Sequence, residues 1–195
     1  MVADQIMEKE KQSSLMIDIL SHIVEFRNGE SGLHTLHIHT ITELLLKRLG
    51  QMSDKYQFSH QEISAISTAS ALHDIGKIAI PSEILNKPGK LTNEEYEIMK
   101  THSAVGDAML EQLTFYQNEA LVKAARQICR WHHERYDGRG YPDGLRGDDI
   151  PIAAQIVALA DVYDALTSER AYKKAFPHEK AVEMISNGEC GAFSP

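Results

Sequence analysis

The sequence has few of the residues that cross-link a chain or hold it in a membrane. Only two cysteines occur among 195 residues, and no apolar run approaches the roughly 18 residues that a membrane-spanning helix needs. Cys129 and Cys190 are too few for a disulfide framework and are not spaced as a zinc pair. The N-terminus lacks the apolar core of a signal peptide. These absences predict a cytoplasmic protein with two reduced thiols and no membrane partner.

The net charge excludes a further class of partner. It is formally −8, which argues against binding to the backbone of a nucleic acid polymer. An acidic protein can still bind a small phosphorylated ligand when positive charge is supplied locally, for example by metal ions. The hydrophobic share of 43% and the charged share of 25% are ordinary for a globular domain, so a disordered chain is excluded as well.

Helical patterns dominate, and no segment alternates between polar and apolar residues as a strand does. We therefore predict an all-α fold. Residues 4–26 are expected to form an amphipathic helix with Leu15, Ile19, Ile23 and Phe26 on one stripe. This stripe fits either core packing or a linker or dimer helix.

Capping residues and prolines predict where the later helices begin. Ser59 with Glu62, and Thr92 with Glu95, have the spacing of a capping box, in which the two side chains bond free backbone N–H groups at a helix start. Pro151 suits the first turn of a further helix. The predicted helices span residues 34–49, 59–74, 92–110, 119–133 and 151–166, with a short helix after Pro177 and a glycine-rich loop at 134–149.

Histidine is the one residue type in excess, with ten copies. His73 and Asp74 form an adjacent pair, and Glu30 and His34 stand four apart, so they share a face if their helix begins early. Each pair has an ordinary alternative. An adjacent histidine and aspartate are usually surface or core residues, and an acid one turn from an imidazole is often an ion pair.

Three further segments carry the same residue types. His102 could be a helix-end histidine favoured by the helix dipole, and His132 with His133 could be one buried and one exposed position. Asp161 interrupts an apolar run, where an unpaired carboxylate is costly to bury and needs a cation. Asp164 lies on the same helix face. Helices that each deliver histidine or carboxylate inward would form a site for two or three metal ions, and imidazole with carboxylate suits Fe, Mn, Ni, Co or Zn.

Together these positions resemble a known family. The motifs are Glu30 with His34, HDIGK at 73–77, His102, HHE at 132–134, DGRGYP at 137–142 and DVYDALTSERAYK at 161–173. They are similar to the motifs of HD-GYP domains, a subgroup of the HD superfamily, and the similarity runs from about residue 30 to residue 195. The resemblance implies an HD-type helical bundle with a glycine-rich GYP loop.

The resemblance also implies a role for each matched residue. Lys77 matches a lysine that contacts phosphate oxygens and assists catalysis, and Asp74 is a second catalytic candidate. Asp164, Arg170 and Lys173 match positions near the bound dinucleotide. Eight matched ligands indicate a trinuclear site, whereas members that lack the glutamate have two metals. The implied metal ligands are Glu30, His34, His73, Asp74, His102, His132, His133 and Asp161.

Other positions leave alternatives open. Tyr141 lies in the GYP loop, which in the family shapes the site and meets partner domains, and it is a further substrate-binding candidate. Without the resemblance, Arg170 and Lys173 would be interpreted as solvated helix-end charges. Two residues depart from the family's pattern: His37 stands where arginine is frequent, and Asn28 where some members have aspartate. Both departures bear on substrate preference, and neither removes a metal ligand.

The activity implied by the resemblance is metal-dependent hydrolysis of cyclic di-GMP to pGpG, continuing to GMP if the site is trinuclear. The implied cofactors are two or three divalent ions of iron, manganese or nickel. Such domains are commonly output modules of signalling proteins, so a receiver or sensor domain in cis and a cyclase domain in trans are expected partners. The open alternatives are hydrolysis of cyclic GMP-AMP, a general HD-type nucleotidase, and a non-catalytic module that binds a dinucleotide or a partner.

We expect the chain to have two parts. Residues 1–28 are predicted to be an N-terminal linker or dimer helix, through which a homodimer could form. Residues 29–195 are predicted to be the phosphodiesterase domain. The sequence stops at GAFSP without a natural terminal element, which predicts a domain truncated at its C-terminus.

Overall fold

The structure is a computed structural model that describes residues 15–27, 33–169 and 174–194. Every regular element in these ranges is helical, which confirms the all-α prediction. The α-helices are α1 (described over 15–27), α2 (Leu33–Met52), α3 (His60–Ser70), α4 (Ser82–Leu85), α5 (Asn93–Glu111), α6 (Ala120–Trp131), α7 (Ile152–Thr167) and α8 (His178–Ser186). Short 3-10 segments lie at Ile75–Ala79, Thr114–Tyr116 and Gly147–Asp149.

Both predicted capping boxes are confirmed. Ser59 Oγ accepts from the backbone N–H of Glu62 at 3.2 Å, and Glu62 Oε2 accepts from the Ser59 N–H at 2.8 Å. Thr92 and Glu95 make the same reciprocal bonds at 3.2 and 2.7 Å. These bonds satisfy N–H groups that have no partner inside the helix. They therefore fix where α3 and α5 begin.

The helix expected over residues 59–74 ends earlier, at Ser70. Ala71, Leu72 and His73 each donate their N–H to the carbonyl three residues back, so the chain tightens into turns that lead to the 3-10 segment at Ile75–Ala79. Such tightening is common where an α-helix runs out of intrahelical donors. As a result, His73 and Asp74 do not continue the helical path of α3.

The core lies between α2, α3, α5, α6 and α7. Helix α3 packs between α2 and α6, α5 packs against α6, and both α2 and α6 contact α7. Fully buried apolar residues from four of these helices meet there, including Ile38, Ala69, Ile128 and Val157. Their burial stabilises the arrangement that brings the ligand-bearing helix positions together.

Cys129 is a buried thiol within this core. Its side chain has no exposed surface, and its Sγ donates to the carbonyl of Leu72 at 3.0 Å. Burial away from water raises the pKa of the Cys129 thiol well above its ordinary value. Cys190 is only partly buried, and neither cysteine forms a disulfide.

The apolar stripe of α1 faces away from the core, so its interpretation as core packing is wrong. The opposite face packs inward through Ile17 and Val24, and the buried Ser21 donates to the carbonyl of Ala71 at 2.7 Å. The linker or dimer interpretation of α1 stays a prediction. The exposed fractions of the stripe are 59% for Leu15, 47% for Ile19, 56% for Ile23 and 88% for Phe26. None of the described helices is long and apolar enough to cross a bilayer.

Candidate metal centre

The turn after α3 presses directly against α5. A Cβ atom added to Gly76 would lie 2.0 Å from the carbonyl oxygen of His102 and 2.6 Å from the backbone nitrogen of Gly106. Only glycine can occupy this position without moving one of the two segments. The contact brings Asp74, two residues earlier, face to face with His102.

Asp74 stands at the centre of a cluster of imidazoles. Its Oδ1 lies 3.2 Å from His102 Nε2 and 3.9 Å from His132 Nε2, and its Oδ2 lies 3.2 Å from His73 Nε2. The carboxylate of Asp74 belongs to two groups of potential metal ligands. Within each group, all the ligand atoms lie within 4.8 Å of one another. They are Asp74, His102, His132 and His133 in the first group, and His34, His73 and Asp74 in the second.

The atoms that face the inside of the cluster are buried and have no hydrogen-bond partner. They are the Nε2 atoms of His73, His102 and His132 and the Oδ1 atom of Asp74. The Nδ1 atom of each of these histidines lies 2.7–2.9 Å from a backbone carbonyl of the preceding helical turn, to which it must donate. Each Nε2 is therefore left as a free acceptor, which is the arrangement of a metal-binding histidine. The residues present fit divalent cations.

His34 is held differently, by a carboxylate from a distant helix. Its Nδ1 lies 2.7 Å from Asp164 Oδ2, and its Nε2 lies 3.7 Å from Asp161 Oδ1. The other oxygen of Asp164 accepts from His37 Nδ1 and from Ser168 Oγ, both at 2.7 Å. Burial alone would raise the pKa of Asp164, but the bonds from His34, Ser168 and His37 outweigh it and lower the pKa to about 2. Asp164 is thus a buried anion that orients two histidines.

The protonation of the cluster follows from burial and from Asp74. Burial lowers the pKa values of His102, His132 and His133, so these imidazoles are neutral at neutral pH, as ligands must be. Burial also opposes charge on His73, but the facing Asp74 raises its pKa to about 9, so the Nε2 atom of His73 becomes a free acceptor only when a cation displaces its proton. The pKa of Asp74 lies well below its usual range, because Lys77 and His73 outweigh the effect of burial.

Lys77 and Tyr141 lie beside the cluster. Lys77, in the middle of the 3-10 segment Ile75–Ala79, places its Nζ 2.7 Å from Asp74 Oδ2. The Tyr141 ring stacks on the His133 ring with centroids 4.6 Å apart, and the Lys100 ammonium lies 5.7 Å from the centroid of Tyr141. These positions suit a phosphate contact and one wall of a ligand site.

Two features position the GYP loop. A Cβ atom on Gly140 would lie 2.3 Å from Glu134 Cα, so the loop can pack directly on the backbone that follows the two histidines. Glu134 is buried, and its Oε1 accepts from the N–H groups of Asp143 and Gly144 at 2.8 and 3.0 Å. The structure thereby gives the third residue of the HHE motif a loop-holding function that sequence reasoning missed.

The predicted site residues have different outcomes. Asp161 lies near His34 but in neither ligand group, and it is only partly buried, contrary to the expectation of a fully buried acid. Both oxygens of Asp164 accept hydrogen bonds from protein groups, and its expected place near the substrate is untested. Glu30, Arg170 and Lys173 lie outside the described residues. The ligand and substrate roles of all these residues stay predictions.

The fold and the cluster together define an all-α protein with a histidine–carboxylate site of the composition that divalent transition metals favour. A sequence model of the HD domain family matches residues 14–190. The chain therefore belongs to the HD domain family, and the resemblance to its HD-GYP type is confirmed.

Known proteins of this type resemble the chain over nearly its whole length. It is 41% identical over 192 residues to a probable cyclic di-GMP phosphodiesterase of Vibrio cholerae, covering 96% of this chain and 43% of that protein. It is 38% identical to the cyclic di-GMP phosphodiesterase response regulator RpfG of Xanthomonas campestris, covering 98% of this chain and 47% of that protein. The chain thus spans less than half the length of these curated relatives.

A solved structure shares the fold. The crystal structure of a cyclic GMP-AMP specific phosphodiesterase of V. cholerae superposes with a TM-score of 0.65, covering 94% of this chain and 46% of that one. The two sequences are 20% identical, so this likeness concerns the architecture alone. It confirms the expected HD-type helical bundle.

Proposed function

We propose that this chain is a metal-dependent phosphodiesterase domain that hydrolyses cyclic di-GMP to linear pGpG. The observation that carries the proposal is the set of buried ligand atoms without protein partners around Asp74. Such atoms are costly to bury unless a cation occupies the space between them. The relatives named as cyclic di-GMP phosphodiesterases support the substrate.

Two ligand groups that share one carboxylate suit two ions close together. Asp74 belongs to both groups and would help to hold both ions, while His102, His132 and His133 would hold one of them and His34 and His73 the other. Iron, manganese and nickel are the proposed ions, with Glu30 and Asp161 as candidates for a third position. When bound, such ions supply Lewis acidity at the phosphodiester and activate water near neutral pH.

The chain's own residues would bind and orient the substrate. Lys77 places a compact positive charge at the metal-facing carboxylate, where it can attract a non-bridging phosphate oxygen. Tyr141 and Lys100 offer an aromatic face and a cation beside His133. Arg170 and Lys173 are proposed to hold the second half of the dinucleotide. Asp164 keeps the ring of His34 in one orientation.

Partners follow from the same proposal. We propose that the domain is the output module of a cytoplasmic signalling protein with a receiver or sensor domain in cis, because the response regulator RpfG is a relative. The cyclase partner in trans and the homodimer through α1 remain predictions.

The test is a hydrolysis panel on anaerobically purified protein whose metal content has been measured. Cyclic di-GMP and cyclic GMP-AMP are incubated in parallel, and the products are separated by chromatography over time. Faster conversion of cyclic di-GMP to pGpG supports the proposal. Faster conversion of cyclic GMP-AMP would show that cyclic GMP-AMP is the preferred substrate. A nucleoside monophosphate is included in the panel because a general nucleotidase would hydrolyse it.

A paired variant separates catalysis from binding. His73→Ala with Asp74→Ala should abolish turnover while the far-ultraviolet circular dichroism stays helical. If the metal-loaded natural chain leaves every cyclic dinucleotide intact, the chain is a binding module and the enzymatic proposal fails.

A further inference from the structure

Arg27, at the end of the described part of α1, binds the segment that carries Lys77. Its Nη1 donates to the carbonyl of Lys77 at 2.9 Å and to that of Ile78, and its Nη2 donates to the carbonyl of Ile80 at 2.6 Å. The same Nη2 lies 3.3 Å from Ser82 Oγ. One guanidinium therefore holds three backbone carbonyls in the last turn of the 3-10 segment Ile75–Ala79 and just after it.

The backbone turn that Arg27 binds is held by few bonds of its own. The Lys77 carbonyl accepts from the Ile80 N–H at 3.1 Å, but the Ile78 carbonyl has no donor three residues ahead, because Pro81 lacks an N–H group. A planar guanidinium presents several N–H groups in a fixed fork, whereas an ammonium can reach one or two acceptors from a flexible stem. Arginine at position 27 therefore fixes the path of the backbone from Lys77 to Ile80 as lysine could not.

The rest of the inward face of α1 reaches two further segments of the metal centre. Ser21 donates to the carbonyl of Ala71, just before His73. The buried Glu25 accepts from the N–H and the hydroxyl of Thr35, the residue after His34. Helix α1 thus contacts the chain beside His34 and His73, both in the second group of candidate ligands, although none of its described residues is a ligand candidate.

We propose that Arg27 is a positioning residue of the metal centre, which holds the backbone of the Lys77 turn so that the ammonium stays at Asp74 and in line with a bound phosphate. This inference rests on the proposed phosphodiesterase function for its effect on turnover. Its structural half, the fixed turn, is independent of that function. Helix α1 is then part of the catalytic unit and more than a connector.

The first test compares Arg27→Lys with Arg126→Lys. Arg126 makes a similar number of bonds, to Asp107, Glu111 and Gln117, on the outer side of α5 and α6. We expect Arg27→Lys to lower kcat about 10- to 100-fold, the size of effect that a misplacement of roughly 1 Å produces, with bound metal unchanged. Arg126→Lys should stay within twofold of the natural chain. Equal kcat losses in the two variants would overturn the proposal.

The second test asks whether Arg27 acts through Lys77. In a Lys77→Ala background, Arg27→Lys should cost less than a further twofold in kcat, because the group it positions is already absent. A full additional 10-fold loss would show that Arg27 acts by another route. Arg27→Gln, which keeps a donor at the site, gives the same comparison if the lysine variant does not fold.

A measurement that does not depend on turnover distinguishes the positioning role of Arg27 from the proposed phosphodiesterase function. Hydrogen exchange measured by mass spectrometry should speed up over residues 75–82 in Arg27→Lys and stay unchanged there in Arg126→Lys. If the natural chain hydrolyses nothing but this pattern holds, the function fails and the fixed turn stands. Unchanged exchange over 75–82 in Arg27→Lys sinks the positioning proposal whatever the activity.

Discussion

The two halves of the metal centre are held in different ways. His102 and His132 donate their Nδ1 protons to carbonyls of the helices that carry them, three or four residues back. His34 instead donates to the carboxylate of Asp164, which lies 130 positions away along the chain and belongs to α7. The first half is therefore oriented by local helix geometry. In the second half, His73 is also held locally, but His34 is oriented only once α2 and α7 have packed together.

Because of this difference, we expect metal binding in the two halves to respond differently to substitutions. A backbone carbonyl cannot be mutated away, and it accepts the Nδ1 proton of the neutral imidazole. A carboxylate partner raises the basicity of the ring and strengthens its metal bond, but it can be lost by one substitution. We therefore expect the half that includes His34 to be the more easily weakened by a substitution outside the ligand set.

The largest effect is expected where the two halves meet. Asp74→Asn removes the charge shared by both ligand groups, so both ions should be lost and kcat should fall by much more than the roughly 10- to 100-fold that the loss of an outer partner costs. Metal analysis after gel filtration checks the loss of ions. Retention of the full metal content would show that Asp74 does not join the two groups.

Single histidine substitutions come next and separate the halves. His102→Gln should remove the metal of the first group and leave that of the second, whereas His34→Gln should do the reverse. Metal stoichiometry measured by mass spectrometry of the native protein distinguishes one remaining ion from none. Loss of all metal from both variants would mean that the two groups form one inseparable site.

A smaller effect is expected from the partner of His34. Asp164→Asn keeps the size of the side chain and removes its charge, so metal affinity in the second group should weaken about 10- to 100-fold while the first group is unaffected. Competition with a chelator measures the two affinities. The matched control is Asp143→Asn, which breaks a surface bond network with Arg130 and Trp131 and should change neither affinity.

The smallest effect should come from a change outside both halves. Ser59→Ala removes the side-chain cap of α3 and should lower the free energy of unfolding by about 1 kcal/mol, with metal content unchanged. Urea denaturation measures this. Ser64→Ala, at an exposed position inside the same helix, should leave the stability unchanged or slightly higher. A cap variant that loses metal would show that the scaffold and the centre are coupled.

The sequence predicted the locally encoded part of the molecule well. The capping pair at Ser59 and Glu62 and the proline before α7 need only a few neighbouring residues, and the structure has them as expected. The resemblance to HD-GYP domains indicated that His73, His102 and His132 would meet, whereas local spacing alone left each of them an ordinary alternative. Spacing is enough when the partner of a side chain is its own helix.

The long-range contacts could not be predicted in this way. Nothing in the sequence near His34 indicates that Asp164 holds it, and Arg27 gave no signal that it binds the carbonyls after Lys77. Such contacts arise from tertiary packing between segments separated by 50 to 130 positions. The stripe of α1 was ambiguous for the same reason, since two faces of that helix contain apolar residues and packing chose the one with Ile17.

The buried thiol of Cys129 offers a natural reporter for the region behind the metal centre. Alkylating reagents attack the thiolate, and this side chain is both enclosed and protonated, so it reacts only when the core opens. Its labelling rate, compared with that of the more accessible Cys190, therefore records the frequency of opening without any introduced probe. The ratio of labelling rates with and without added metal would show how strongly ion binding closes the bundle.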